Sequence, residues 1–272
     1  MDSRVQLRVQ RYGWDRAAGD YEALWQAQLE PAHAALLAGA ALAPGAAVLD
    51  VACGTGLVTL AAARAVGAAG RVLGTDLSGE MVRAARARAA HLGLAQARFE
   101  RMDAQHLTLA DGQFDVALCA LGLMYVSEPE GVLGELRRVL RPGGRLGLAV
   151  WGERGRCGWA SVFGIVQEEV ASDVCPLFFS LGRAGALTQL CLHSGFAVAG
   201  EQRIATRLQY RSGAAACQAA FAAGPMALAW SRFGERTRAR VCARYLASLE
   251  PWRRNGGYSI PGEFVVAHAR AP

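Results

Sequence analysis

A chain of 272 residues, 53% hydrophobic and 19% charged, carries enough apolar material for a substantial buried core and is neither disordered nor fibrous. Its net charge is +6, but every one of the 29 basic residues is arginine and they are scattered, which argues against a dedicated nucleic-acid face. The lack of lysine removes Schiff-base chemistry, pyridoxal phosphate anchoring and the phosphate-binding lysine of a P-loop together.

In chain order, the stretch 21–40 has helical spacing of apolar residues and is interrupted at Pro31. "AAVLDVA" (46–52) then reads as a buried strand and "LVTLAAARAV" (57–66) as the helix after it. "RVLGTDL" (71–77) is a second strand. "SGEMVRAARARAAHLG" (78–93) is a helix, with Ser78 as its N-cap and Glu80 in its first turn. "ARFERMDA" (97–104) is a third strand and "FDVALCAL" (114–121) a fourth, followed by a helix over 129–140. "RPGG" (141–144) is a turn before a fifth strand, "RLGLAVWG" (145–152). Beyond Gly152 the pattern changes: 157–170 and 182–196 are helical, and 197–210 and 256–270 form a late strand pair with helical material between them.

Five apolar strands alternating with helices, plus the late pair, specify an α/β fold with a mostly parallel seven-stranded sheet and helices on both faces. Ligands of such sheets sit at the carboxyl ends of the strands. No linker rich in Pro, Gly or Ser divides the chain, so a single domain is expected in three stretches. These are an N-terminal helical segment over 1–44, a nucleotide-binding core over 45–152, and a completion of the sheet with helical cap insertions over 153–272. The N-terminus has no apolar stretch of the secretory kind, and the almost uncharged segment 32–49 is broken by "APGA", so no membrane span is expected. Seven cysteines (Cys53, Cys119, Cys157, Cys175, Cys191, Cys217, Cys242) form no Cys-x-x-Cys pair and are odd in number; free thiols in a reducing cytoplasm, and no metal site, are expected.

The first strand ends in "AVLDVACGTGLV" (47–58). Gly54 and Gly56 let a backbone approach a ligand at a helix start, but Thr59 stands where a dinucleotide fingerprint needs its third glycine. Asp50 lies four residues ahead of Gly54. The pattern Asp-x-Ala-x-Gly-x-Gly resembles the Asp/Glu-x-Gly-x-Gly-x-Gly loop of class I S-adenosylmethionine-dependent methyltransferases, with Ala52 in place of the first glycine. The end of the second strand at Asp76, "RMDAQHL", the fourth strand and "LRRVLRPGGRLGLAVWG" follow in the same order. Over roughly 45–152 the chain is similar to the type 11 group, related to ubiquinone/menaquinone C-methyltransferases.

The resemblance implies a Rossmann-like fold with a small helical cap over the site, and S-adenosyl-L-methionine as cofactor. It implies that Asp50 holds the loop and the amino-acid end of the cofactor, and that Asp76 takes the ribose hydroxyls, a feature that NAD enzymes share. Asp103 and Ala104 would meet the adenine. Cys53, Leu77, Met81, Gln105 and Cys119 belong to the same expected cofactor set; Cys53 and Cys119 read equally as small packing residues. Among the N-terminal aromatics Tyr12, Trp14, Tyr21 and Trp25, which serve as well as a helix's packing face, Tyr21 and Trp14 are the expected wall around the methyl sulfonium. Tyr125, just past the fourth strand, is a candidate catalytic and substrate residue. His193 is a candidate base, with His106 behind it. Trp151, Trp159, Phe179 and Trp230 are candidate substrate contacts, although they read also as a cap's own core, as do Phe163, Phe178 and Phe233.

"CALGLMY" (119–125) lacks the Asn/Asp-Pro-Pro-Tyr/Phe of enzymes that methylate base amines and the Pro-Cys of cytosine C5 enzymes, so a nucleobase acceptor is not expected. The expected partner is a small hydrophobic or aromatic methyl acceptor, with a homodimer allowed. An NAD(P)-dependent oxidoreductase and an S-adenosylmethionine-binding protein without turnover are the competing readings.

Overall fold

The structure, a computed structural model, describes residues 3–170, 175 and 177–272. Its frame is a mixed sheet whose strands are β1 (Ala47–Val51), β2 (Arg71–Asp76), β3 (Ala97–Arg101), β4 (Phe114–Ala120), β5 (Leu140–Trp151), β6 (Ala197–Tyr210), the two-residue β7 (Arg253–Arg254) and β8 (Gly257–Arg270). Seven of them lie in the order β3-β2-β1-β4-β5-β8-β6, and β7 pairs with β8 off this path. The first five are mutually parallel, and β8 enters antiparallel between β5 and β6. The expected α/β architecture is the one observed, with β7 as a small addition.

All five residues of β1 are buried, as a central parallel strand covered on both faces requires. The order reverses at β1, which has β2 on one side and β4 on the other, so a crevice opens beyond the carboxyl ends of these strands. Helices α2 (Leu57–Val66), α3 (Gly79–His91) and α4 (Pro129–Val139) connect the parallel strands. Ser78 caps α3 as its sequence suggests, accepting from the Met81 N–H at 3.1 Å. The Pro-Gly-Gly turn expected before the fifth strand is instead an irregularity inside β5: pairing jumps from Phe114–Leu140 to Val116–Arg145, with Gly143 left-handed at φ 72°.

The largest departure from the sequence pattern is α1, one helix over Ser3–Ala40 that runs through Pro31. Proline removes one i→i−4 hydrogen bond and crowds the preceding turn. Here Trp25, Leu29, Ala32, Leu36 and Ala40 form a buried stripe on both sides of it, and their packing holds the helix together. Gly39 leaves room for the His268 ring, which hydrogen-bonds the Leu36 carbonyl at 2.9 Å and docks this half of α1 on β8. The first half, polar and weakly periodic, lies against α3 and the cap. The cap comprises α5 (Ser161–Val170) and α6 (Ala186–His193) between β5 and β6, then α7 (Gly213–Cys217), a π-helical turn (Gln218–Ala222), α8 (Ala227–Arg232) and α9 (Glu235–Leu249) between β6 and β8. No helix among the described residues is long and apolar enough to cross a membrane.

Candidate active site

A cavity with about 820 Å³ of empty space lies at the carboxyl ends of β1, β2 and β4, roofed by α1. Its floor is the loop after β1, where Ala52 takes a left-handed backbone (φ 53°) that side chains disfavour; the family loop has glycine there. Leu121, past the end of neighbouring β4, is left-handed as well (φ 59°). Both line the cavity, and such strain persists only where surrounding structure over-determines it. Gly122 supplies the compensation for Ala52, since a Cβ on Gly122 would overlap the Ala52 methyl.

Asp76 organises this floor. Its Oδ2 accepts from the Gly54 N–H at 2.9 Å and its Oδ1 from the Ser78 N–H at 2.8 Å, so one carboxylate joins the β1 loop to the start of α3. Burial raises its carboxyl to about 6 against the pull of those backbone donors. Asp76 lines the cavity, and a carboxylate has more acceptor sites than these backbone donors fill, which suits ligand hydroxyls.

Asp50, expected to hold the loop and the amino-acid end of the cofactor, holds the loop from below. It is fully buried beneath the loop, does not line the cavity, and its Oδ2 accepts from the Thr59 hydroxyl at 2.5 Å. Desolvation raises its carboxyl to about 7, and its Oδ1 has no partner. Thr59, read in the sequence only as a missing glycine, is thus the residue that holds Asp50. Cys53 and Cys119 are buried, their thiols raised by burial, and neither lines the cavity. The loop and β4 turn both side chains into the core. Gly56 is also off the cavity; it caps α2 at φ 83°, where a Cβ would stand 3.0 Å from the Phe99 ring.

The remaining expected cofactor residues converge. Ala52, Gly54, Asp76, Leu77, Met81, Asp103, Ala104, Gln105, Trp14 and Tyr21 all line the cavity. Asp103 accepts from the Gln105 N–H at 3.0 Å, and the Gln105 side-chain oxygen accepts from the Ser127 hydroxyl at 3.3 Å and the Glu128 N–H at 3.2 Å, closing the wall between β3 and β4. Gln6, Leu7 and Gln10 of α1, with Met102, were not foreseen, because the start of α1 carries no clear periodicity.

α1 is latched over this floor. Asp15 Oδ1 accepts from the Ser78 hydroxyl at 2.6 Å and the Glu80 N–H at 3.3 Å, Glu22 pairs with Arg88 at 2.8 Å, and the Gln6 amide donates to the Tyr125 carbonyl at 3.3 Å.

A second cavity, with about 530 Å³ of empty space, abuts the first, and Trp14, Tyr21, Leu121 and Tyr125 belong to the walls of both. Trp14 meets Tyr21 and Tyr125 edge-on at 5.8 and 5.1 Å between ring centroids, so the partition is aromatic. Burial holds both phenols well above their ordinary value, which makes them protonated donors and not bases. Beyond the partition lie Trp25, Trp151, Trp159, Phe178, Tyr210 and Tyr245, and no charged side chain lines this cavity among the described residues.

Four sequence candidates, Phe179, Trp230, His193 and His106, line neither cavity. Phe179 packs on Trp159, Phe163 and Phe178 behind the wall, and Trp230 stacks on Phe221 at 5.2 Å under Arg238, both as parts of the cap's core. His193 lies exposed at the end of α6, its Nδ1 2.8 Å from the Gln189 carbonyl, and lines neither cavity. His106 is exposed too. Among the described residues the two cavities have no imidazole base, while the acids of the first and the aromatic partition suit a ligand rich in hydroxyls and amines beside a cationic centre.

Residues 48–144 match the methyltransferase domain family. Among curated proteins, an uncharacterized protein of Mycobacterium tuberculosis is 39% identical over 135 residues, 50% of this chain and 48% of its own length. The ubiquinone/menaquinone biosynthesis C-methyltransferase of Azotobacter vinelandii is 44% identical over 100 residues, 36% of this chain and 40% of its own length. The chain thus spans about half the length of the curated relatives it matches. Among solved structures the cyclase SpnF shares the fold with a TM-score of 0.61 at 24% identity, covering 93% of this chain and 84% of that one.

Proposed function

We propose, from the match of residues 48–144 to the methyltransferase domain family, that this chain transfers a methyl group from S-adenosylmethionine to a small, hydrophobic or aromatic metabolite in a closed site. The observation that carries this reading is the pair of abutting cavities, one floored by acids at strand ends and one walled by aromatic rings, with Tyr21 and Tyr125 in the partition.

The residues present fit the cofactor. Asp76 has lone pairs left for ribose hydroxyls, Asp103 for an adenine amino group, and Gly54 brings backbone close to the amino-acid end. Asp50 acts from below, fixing the loop through Thr59. S-adenosylmethionine, when bound, supplies an electrophilic methyl group on a sulfonium centre. Aromatic faces at the partition favour a cation by about 0.5–2 kcal/mol. In-line displacement then needs the acceptor atom held ~3 Å from the methyl carbon with water excluded, which is the part played by the α1 roof and the apolar second cavity. Tyr21 and Tyr125 are protonated and no histidine lines either cavity among the described residues, so the reading favours an acceptor that does not rely on a phenolate or imidazole base.

Calorimetry with S-adenosylmethionine, followed by a labelled-methyl screen of metabolite extracts, tests the reading. Binding with a labelled product is expected. No binding, together with a nicotinamide requirement, overturns it in favour of an oxidoreductase. Tight binding with no product across a broad acceptor panel would leave a cofactor-binding protein without turnover.

A further inference from the structure

Resting on the reading of the second cavity as the acceptor site, its polar atoms narrow the acceptor's chemistry. Two indole N–H groups, of Trp25 and Trp159, have no hydrogen-bond partner, and both indoles line this cavity. Trp25 is 7% exposed and Trp159 4%, so water does not satisfy them from outside. A buried donor left unpaired costs about 1–3 kcal/mol, and native proteins contain few. Here two come from distant parts of the chain, one from α1 and one from the turn before α5, and their rings stand 6.4 Å apart. Part of the facing wall is Ala220 of the π-helical turn, a rare element that recurs at functional sites.

The lining also carries the indole N–H groups of Trp14 and Trp151 and the hydroxyls of Tyr21, Tyr125, Tyr210 and Tyr245. Burial holds all four phenols above their ordinary value, so they stay neutral at physiological pH. No guanidinium, carboxylate or imidazole lines the cavity among the described residues, so a carboxylate, phosphate or ammonium on the ligand would be buried without a counter-charge. The complement of this surface is a flat, uncharged molecule whose edges present oxygen lone pairs.

We infer that the acceptor is an uncharged ring compound bearing carbonyl or ether oxygens, and that Trp25 and Trp159 are specificity-determining residues that donate hydrogen bonds to those oxygens.

The test compares three probes of one skeleton, indane, 1-indanone and indane-1-carboxylate, by calorimetry on the full chain saturated with S-adenosylhomocysteine. Wild type is expected to bind 1-indanone about tenfold more tightly than indane, the effect of one buried hydrogen bond, and the carboxylate no better than indane. Trp25→Phe and Trp159→Phe keep a ring and lose the N–H. The affinity of each variant for indane reports its lost contact area, and the indanone-to-indane ratio, expected to fall toward one, isolates the donor. Equal affinity for indane and 1-indanone in wild type overturns the inference without any variant, as does tightest binding of the carboxylate or a ratio that survives both substitutions. The same titrations without S-adenosylhomocysteine separate the two readings. Failure of the cofactor product to bind, with the indanone preference intact, would sink methyl transfer and leave the cavity's preference standing.

Discussion

The first cavity draws its chemistry from 52–54, 76–81 and 102–105, each at the end of a parallel strand; the second draws rings from residues as far apart as Trp14 and Tyr245. In the first, polar atoms are held by short backbone links such as Asp76 to the Gly54 and Ser78 N–H groups. In the second, side chains hold one another edge to face, as Trp151 does against Trp159 at 4.7 Å. A sheet edge places a carboxylate wherever the strand ends, so the donor side is set by the fold itself. An aromatic wall assembled from α1 and two cap insertions can be rebuilt without touching that edge, which is how one fold comes to serve many acceptors.

The sharpest way to break this contrast is at Asp76. Asp76→Ala removes the acceptor of two backbone donors and is expected to weaken S-adenosylhomocysteine binding about 100-fold by calorimetry, whereas Asp50→Ala, acting from beneath the loop, is expected to cost about tenfold. The reverse order would show that the loop's support matters more than its contact surface.

At the partition, Tyr21→Leu is expected to weaken S-adenosylmethionine about 3- to 30-fold while leaving S-adenosylhomocysteine, which has no sulfonium charge, nearly unchanged. Equal losses for the two ligands would assign Tyr21 to packing.

Titration separates the regions next. Asp76, raised to about 6, accepts from ligand hydroxyls best when ionised, so S-adenosylhomocysteine affinity should fall as pH drops through 6, while 1-indanone binding stays flat from about pH 5 to 8. Stability of the free protein runs the other way. With Asp50 raised to about 7 and Asp76 to about 6, these two groups make the folded chain bind more protons than the unfolded one, and His33, lowered to about 4 by burial, opposes them with one, so Tm should decline modestly as pH rises from about 5 to 7. Asp50→Asn should remove much of that slope; a Tm flat across this window in wild type would contradict the burial argument.

The smallest expected effect lies in the latch. Asp15→Ala should weaken S-adenosylhomocysteine about two- to fivefold by freeing α1 from the Ser78 hydroxyl, and Arg88→Ala, which breaks a half-exposed ion pair, should do less. A larger effect of Arg88→Ala would make the ion pair the true hinge of the roof.

By itself the sequence determined the alternation of β1–β5 with their helices, the cap at Ser78 and the acids at the ends of β1, β2 and past β3. Each of these is a local matter: unbroken apolar runs for strands buried on both faces, and a short polar side chain where a helix leaves N–H groups free. Tertiary structure alone decided the rest. Pro31 marks a break by every local rule, yet α1 continues because five buried side chains on either side of it pack on the sheet. Asp50 and Asp76 look alike as strand-end acids, but only the three-dimensional course of the loop puts one under Thr59 and the other at the cavity. His193 is polar and terminal to a helix, and the docking of α6 turns it to solvent. The second cavity was the least legible feature: Trp159 was a candidate contact that read also as cap core, Trp25 read as well as a helix's packing face, and Tyr210 and Tyr245 gave no signal before long-range packing brings them around one space. Strand ends follow from neighbours along the chain, whereas a cavity is defined by residues that meet only when the whole chain has folded.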